Sequence, residues 1–143
     1  MNDAETVKVQ FYDPAIGYEN IWAAPLGNGT YRLENPPFFV YDISLHDIVA
    51  AAPNEHGLLQ FLTVIRRSGN KTLRARSTAL IGDSARRSSI ESHLKKMGCV
   101  VEEHRERLLA ISVPPAASLR EITSYLTETG LSWEYGYPAE QNA

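Results

Sequence analysis

The sequence predicts an α+β protein whose first half is built of strands and whose second half alternates strands with helices. Short apolar runs separated by turns rich in glycine, proline and asparagine occupy residues 1–71. Helical spacing of apolar residues appears only after residue 82. With 143 residues and 43% hydrophobic side chains, the chain is large enough to bury a core. We therefore expect a compact protein without a flexible linker between the halves.

The first half, residues 1–71, contains short strands joined by tight turns. Val7, Val9 and Phe11 alternate with polar neighbours, as expected for a half-buried strand. Gly27-Asn28-Gly29 suits a hairpin turn, since glycine and asparagine tolerate positive φ. Together these strands predict a bent antiparallel sheet or a partial barrel. The predicted strands are residues 7–11, 19–26, 30–33, 38–43, 48–52 and 58–65.

The second half, residues 72–138, shows two helical segments between strands. Ile90, Leu94 and Met97 recur at helical spacing, and Gly98 is suited to end that helix. Ser88 and Glu91 have capping-box spacing, and Ser118, Glu121 and Gly130 repeat this pattern of helix start and stop. Helices over 84–97 and 118–130, with strands over 72–81, 99–104, 107–113 and 131–137, give the order β-α-β-β-α-β. That order predicts a ferredoxin-like unit, followed by a tail over residues 139–143.

Charge is unevenly distributed along the chain although the net charge is only −3. Residues 1–65 carry −6, residues 66–96 carry +7 and residues 97–143 carry −4. The basic middle segment either meets an acidic partner or phosphate, or pairs with the two acidic segments across the folded surface. The arginines that we consider as partner-binding residues are Arg66, Arg67, Arg74, Arg76, Arg86 and Arg87.

Aromatic residues form a second candidate surface near the C-terminus. Trp133, Tyr135 and Tyr137 alternate along one predicted strand and would share one face with Leu131. They either line the core between the two halves or form an anchor for a protein partner, because tryptophan and tyrosine are frequent in interface hot spots. We therefore add Trp133 and Tyr135 to the candidate partner-binding residues.

Composition argues against several classes of protein. No apolar run has the length of a membrane span, and the first ten residues do not resemble a signal peptide, so we expect a cytoplasmic protein. The single cysteine, Cys99, excludes an internal disulfide and predicts a buried structural thiol. The four histidines lack the close spacing of metal ligands, and we predict neither a metal site nor a cofactor.

Candidates for catalysis are weak. His46 and Asp47 are adjacent, and neighbouring residues of an extended chain point to opposite faces, so a polar turn is the simpler interpretation. Gly82-Asp83 opens the first helix with a single glycine and an acidic side chain, which is a poor phosphate site. The two predicted strands at 72–81 and 107–113 lack the aromatic residues on which RNA bases stack, so nucleic acid is not the expected partner.

Five separated segments resemble a bacterial domain family of unknown function, the family numbered 4265. They are residues 19–23, 29–33, 35–38, 46–49 and 68–74, and the likeness covers most of the chain. The resemblance implies a single compact bacterial domain. It supplies no catalytic residue to transfer to this chain.

These observations favour binding over catalysis. The most concrete hypothesis is an immunity-type or antitoxin-like protein that neutralises a partner toxin or effector, by analogy with other small proteins of this build. A second hypothesis is a small regulatory module that binds a metabolite between its two halves. A third is a weak hydrolase that uses His46 or His104.

Overall fold

The first half of the chain forms a closed five-stranded barrel in the computed structural model, which describes residues 5–142. Successive strands pair antiparallel, and a short parallel pairing between the first and fifth strands closes the barrel. The expectation of a bent sheet or partial barrel is thus met by a barrel that closes on itself. The strands are β1 Val7–Asp13, β2 Gly17–Gly27, β3 Thr30–Leu33, β4 Ile48–Pro53 and β5 Leu59–Arg66.

The second half is a four-stranded antiparallel sheet with two helices. Its strand order across the sheet is β7-β8-β6-β9. The first helix begins at the predicted residue, but its cap is Asp83, whose carboxylate accepts from the Arg86 amide, and Ser88 lies inside the helix. Ser118 caps the second helix as predicted, by accepting from the Glu121 amide. The elements are β6 Lys71–Arg76, α1 Ser84–Lys96, β7 Val100–His104, β8 Leu108–Val113, α2 Leu119–Thr129 and β9 Trp133–Tyr137.

Each half has its own apolar cluster. In the second half, Leu94 and Leu126 of the helices are completely buried against the sheet residues Leu73, Leu109 and Ile111. The cluster of the first half fills the barrel and is centred on inward-facing residues of the five strands. No helix in residues 5–142 combines the length and apolar character needed to cross a membrane.

Two of the strand predictions are wrong: one strand is absent and the other is shorter than predicted. The predicted strand over 38–43 is absent, because residues 34–47 form an irregular connection that we call the β3–β4 loop. The predicted strand over 72–81 ends at Arg76, and Thr78–Leu80 forms a short 3-10 helix before α1. The predicted tail over 139–143 begins with another 3-10 helix, Ala139–Asn142.

Candidate functional site

The β3–β4 loop is held against the barrel by one buried carboxylate. Glu19 of β2 is 9% exposed and accepts hydrogen bonds from the main-chain N–H groups of Phe38, Phe39 and Val40 at 2.7, 3.0 and 2.9 Å. In a β-strand, these N–H groups would donate to neighbouring strands. Here the carboxylate of Glu19 accepts their hydrogen bonds instead, which explains why an apolar run of strand-like composition forms a loop.

The same loop is held against the second sheet by side chains of β6. Arg74 donates from Nη1 to the Val40 carbonyl at 2.8 Å, and Thr72 donates to the Ile43 carbonyl at 3.0 Å. Asn70, immediately before β6, donates to the Leu45 carbonyl at 2.8 Å. The β3–β4 loop is therefore the junction between the two halves, and polar groups from both halves satisfy its backbone.

A second buried carboxylate fixes the end of this loop. Asp47 is completely buried and accepts from the amides of Ser44 and Ser68 at 2.9 and 2.8 Å, with Arg67 Nη1 at 3.5 Å. His46 is exposed and has a φ of 69°, in the left-handed region of a turn. His46 is thus exposed in a polar turn, while the buried Asp47 carboxylate accepts hydrogen bonds that hold the end of the loop. Glu19, Asp47 and Arg74 all lie in the segments that carry the family resemblance.

The six candidate arginines do not share one face. Arg66 and Arg67 lie at the end of β5, and Arg67 also packs 4.3 Å from the ring of Tyr137. Arg74 is only 3% exposed; its Nε faces Glu134 at 3.4 Å, and its guanidinium lies 4.5 Å from the Tyr41 ring. Arg74 therefore belongs to the junction between the two halves.

Arg86 and Arg87 lie on α1, in the other layer of the sheet half. Arg87 forms ion pairs with Glu103 and Glu106 at 3.1 and 3.0 Å, and Arg86 donates to the Thr129 carbonyl at 2.7 Å. Several basic side chains of the middle segment are thus paired with the acidic segments. Arg76 is exposed at the end of β6, where it lines a cavity of about 310 Å³ with Arg74, Tyr41 and Trp133.

The C-terminal aromatic residues are divided between the two faces of their sheet. Trp133 and Tyr135 pack against the helix-side cluster, with their ring centroids 5.5 Å apart. The register between β6 and β9 shifts at Gly136, and Tyr137 contacts Arg67 and Lys71 instead. The expectation that all of them share one face is wrong, because a β-bulge reverses the alternation beyond Gly136.

The barrel is open along part of its closing seam. β1 and β5 pair only through Val9 with Leu59 and Gln10 with Gln60. Beyond these pairs a cleft of about 560 Å³ separates the two strands, and residues 40–43 of the β3–β4 loop lie against it. We call this opening the seam cleft. Its lining residues are Phe11, Tyr12, Asp13, Val40, Tyr41, Asp42, Ile43, Phe61, Leu62, Thr63, Val64, Ile65 and Arg67.

Two β-bulges in β5 shape the seam cleft. The register with β4 shifts twice, and each shift leaves one residue of β5 unpaired: Leu62 and Ile65. Bulges bend a strand and redirect its side chains. Leu62 is 61% exposed and Ile65 is 55% exposed, and both line the cleft with Tyr12. The sequence contained a signal for this, because Phe61-Leu62 and Val64-Ile65 break the two-residue alternation that a regular strand requires.

A second cleft lies between the barrel and the second sheet. It has a volume of about 550 Å³ and we call it the junction cleft. His104 of β7 packs against Phe38 and Phe39 with ring centroids 5.0 and 5.3 Å away. Asn35 Nδ2 donates to Glu102 Oε2 at 2.9 Å. The lining residues are Tyr18, Glu19, Asn20, Ile21, Trp22, Asn35, Pro36, Phe38, Phe39, Glu102 and His104.

Metal-binding and thiol chemistry have little support in the described part of the chain. Within residues 5–142, no three side chains of histidine, cysteine, aspartate or glutamate come together in a way that would hold a metal ion. Cys99 is buried before β7, and burial raises the pKa of its thiol to about 11. A thiol with that pKa is a poor nucleophile at neutral pH.

Comparison with known proteins identifies the fold and the family. The crystal structure of a hypothetical protein from Neisseria gonorrhoeae matches this chain with a TM-score of 0.71 and 19% sequence identity, over 95% of this chain and 96% of that chain. No curated protein gives a significant match. The model of the family described as "Domain of unknown function (DUF4265)" matches residues 19–135, which is most of the chain. The protein therefore belongs to the DUF4265 family, as the sequence resemblance indicated.

Proposed function

We propose that this protein is a protein-binding module and that the seam cleft receives an extended segment of its partner. The supporting observation is the pair of strand edges, β1 beyond Gln10 and β5 beyond Gln60, that face the cleft without pairing to each other. A strand edge offers main-chain donors and acceptors to a peptide, and side chains beside it supply specificity.

Exposed apolar side chains at the cleft support the same function. Tyr12, Leu62 and Ile65 are each more than half exposed, and all three line the seam cleft. Isolated exposed apolar residues are common, whereas a cluster of them around a concave surface is typical of an interaction site. Arg67 also lines the cleft, so one of the arginines considered from the sequence lies at the proposed site.

The immunity-type or antitoxin-like role is the most concrete form of this proposal. In it, the partner is a toxin or effector, and insertion of its segment into the seam cleft blocks its action. The small size of the chain supports such a role. So does its charge distribution, an acidic barrel half followed by a basic segment, since complementary charge accelerates association with a partner.

A matched pair of variants tests the proposal. The double variant Leu62→Ser, Ile65→Ser removes the apolar surface at the cleft, and Leu58→Ser removes a side chain of comparable exposure, 50%, outside the cleft. Tagged proteins are isolated from the native cell, and bound proteins are identified by mass spectrometry. We expect a partner that the wild type and Leu58→Ser retain and that the double variant loses.

Hydrogen exchange then locates the partner. Binding of an extended segment would slow exchange of main-chain amides at residues 11–13 and 62–65, because strand pairing protects them. A partner retained by the double variant, or protection confined to another surface, would contradict the proposal.

A small regulatory module is the second candidate function. The junction cleft favours it, because a cavity of about 550 Å³ between the halves is large enough for a metabolite.

We also propose that the second half has a ferredoxin-like arrangement. It is supported by the order β-α-β-β-α-β along the chain and β7-β8-β6-β9 across the sheet.

A further inference from the structure

The walls of the junction cleft are unusually aromatic. Phe38, Phe39 and His104 pack on one another at its edge, and Tyr18 and Trp22 complete the aromatic lining. The faces of phenylalanine, tyrosine and tryptophan rings carry negative electrostatic potential and attract cations. The indole of Trp22 already does so within this fold, because Lys8 Nζ lies 5.0 Å from its ring centroid.

The charges that line the junction cleft are also negative. Its lining contains two carboxylates, Glu19 and Glu102, and neither lysine nor arginine. Glu19 uses both oxygens to accept main-chain N–H groups, so it contributes negative potential more than a contact. Glu102 accepts from Asn35 through Oε2, while its Oε1 has no hydrogen bond to any residue of the described chain. Glu102 is therefore the group available to a ligand.

We propose that the junction cleft binds a small organic cation, a substituted ammonium or a planar amidinium, between its aromatic rings and Glu102. Aromatic faces around a carboxylate are the environment that such cations prefer in proteins. An anion would meet two carboxylates in a cleft that neither lysine nor arginine lines. This inference is independent of partner binding at the seam cleft.

Three probes of similar size test the charge preference: benzyltrimethylammonium, benzyl alcohol and phenylacetate. They are titrated into the full-length protein, and amide chemical shifts are followed by NMR. We expect the cation to bind at least about tenfold more tightly than the alcohol, with shifts at residues 18–22, 35, 38–39 and 102–104. Phenylacetate should produce no saturable shift in these segments.

Two variants separate the ligand site from folding. Glu102→Gln keeps an oxygen to accept from Asn35 but removes the charge, and we expect it to weaken cation binding about tenfold without changing the affinity for benzyl alcohol. Leu58→Ser, at an exposed position outside both clefts, is the control and should bind the cation like the wild type. Equal affinity for the cation and the alcohol, unchanged cation binding in Glu102→Gln, or shifts outside the junction cleft would overturn the inference.

Discussion

The barrel half and the sheet half use their apolar side chains differently. In the sheet half, the helices and the sheet enclose one cluster that includes Leu94 and Leu126, both fully buried. In the barrel half, a comparable cluster is accompanied by many apolar residues at the surface. Among the described residues, every exposed large apolar side chain except Ile81 and Val100 lies within residues 12–65. The sheet half therefore buries most of its large apolar side chains, while the barrel half exposes the apolar surface that the proposed binding site would use.

The strongest test of this contrast compares two leucines. Leu126→Ala removes a fully buried side chain of α2 and should lower the free energy of unfolding by about 2–5 kcal/mol. Leu62→Ala removes a side chain that is 61% exposed and should change it by less than about 0.5 kcal/mol. Urea unfolding of both variants measures the difference, and similar losses would mean that the seam cleft is part of the folding core.

The next largest effect is expected at the junction. Glu19→Gln replaces one carboxylate oxygen with an amide group that cannot accept from the β3–β4 loop. We expect a loss of about 1–3 kcal/mol, because buried main-chain donors lose their acceptor. Glu128→Gln, at an exposed position of α2, is the control and should be nearly neutral. If thermal unfolding gives both variants the wild-type midpoint, Glu19 does not stabilise the loop.

A smaller effect is expected from the buried thiol in the sheet half. The pKa of Cys99 is about 11 in the folded protein, against an ordinary value of 9.0, because burial disfavours the thiolate. Its contribution to stability is therefore complete below pH 9 and is lost as the pH rises from 9 to 11. Chemical unfolding at pH 8 and pH 11 should show a decline that is about 2 kcal/mol smaller in Cys99→Ala than in the wild type. An identical decline in both proteins would contradict the shifted pKa.

The smallest effect is expected at His46, in the loop between the halves. Its φ of 69° lies where glycine is at least as favourable as other residues, so His46→Gly should leave the unfolding midpoint unchanged or raise it slightly. His46→Ala should lower it slightly. If the protein acts by binding, both variants should keep its effect in the native cell. Loss of that effect in a variant that still folds would support catalysis by His46.

Local patterns predicted much of the secondary structure. The Ser118 cap and the glycine that ends α2 follow from capping and left-handed glycine, which depend on residues a few positions apart. The prediction of a strand over residues 38–43 is wrong because the side chains that bind this backbone, Glu19 and Arg74, are far away in sequence. No pattern within residues 38–43 indicates that the distant carboxylate of Glu19 accepts hydrogen bonds from N–H groups of this run.

The candidate site was less predictable than the fold. The sequence left open whether the basic segment meets a partner or pairs with the acidic segments. Arg74 is buried in the junction, and Arg87 is paired with Glu103 and Glu106. The residues now proposed for binding include Leu62 and Ile65, and the broken alternation around them does not indicate which residues a bulge would expose. Their exposure results from two register shifts against β4, and a register between strands is a property of the folded sheet.

Side chains from both halves bind the backbone of the β3–β4 loop, so cutting the chain between the halves would remove some of these hydrogen bonds. A fragment ending at residue 71 would keep Glu19 but lose the Thr72 and Arg74 side chains that serve the same loop. A fragment starting at residue 72 would carry those side chains without the carbonyls that they bind. We therefore expect that recombination could not transfer either half alone into another protein without leaving some of these polar groups unpaired.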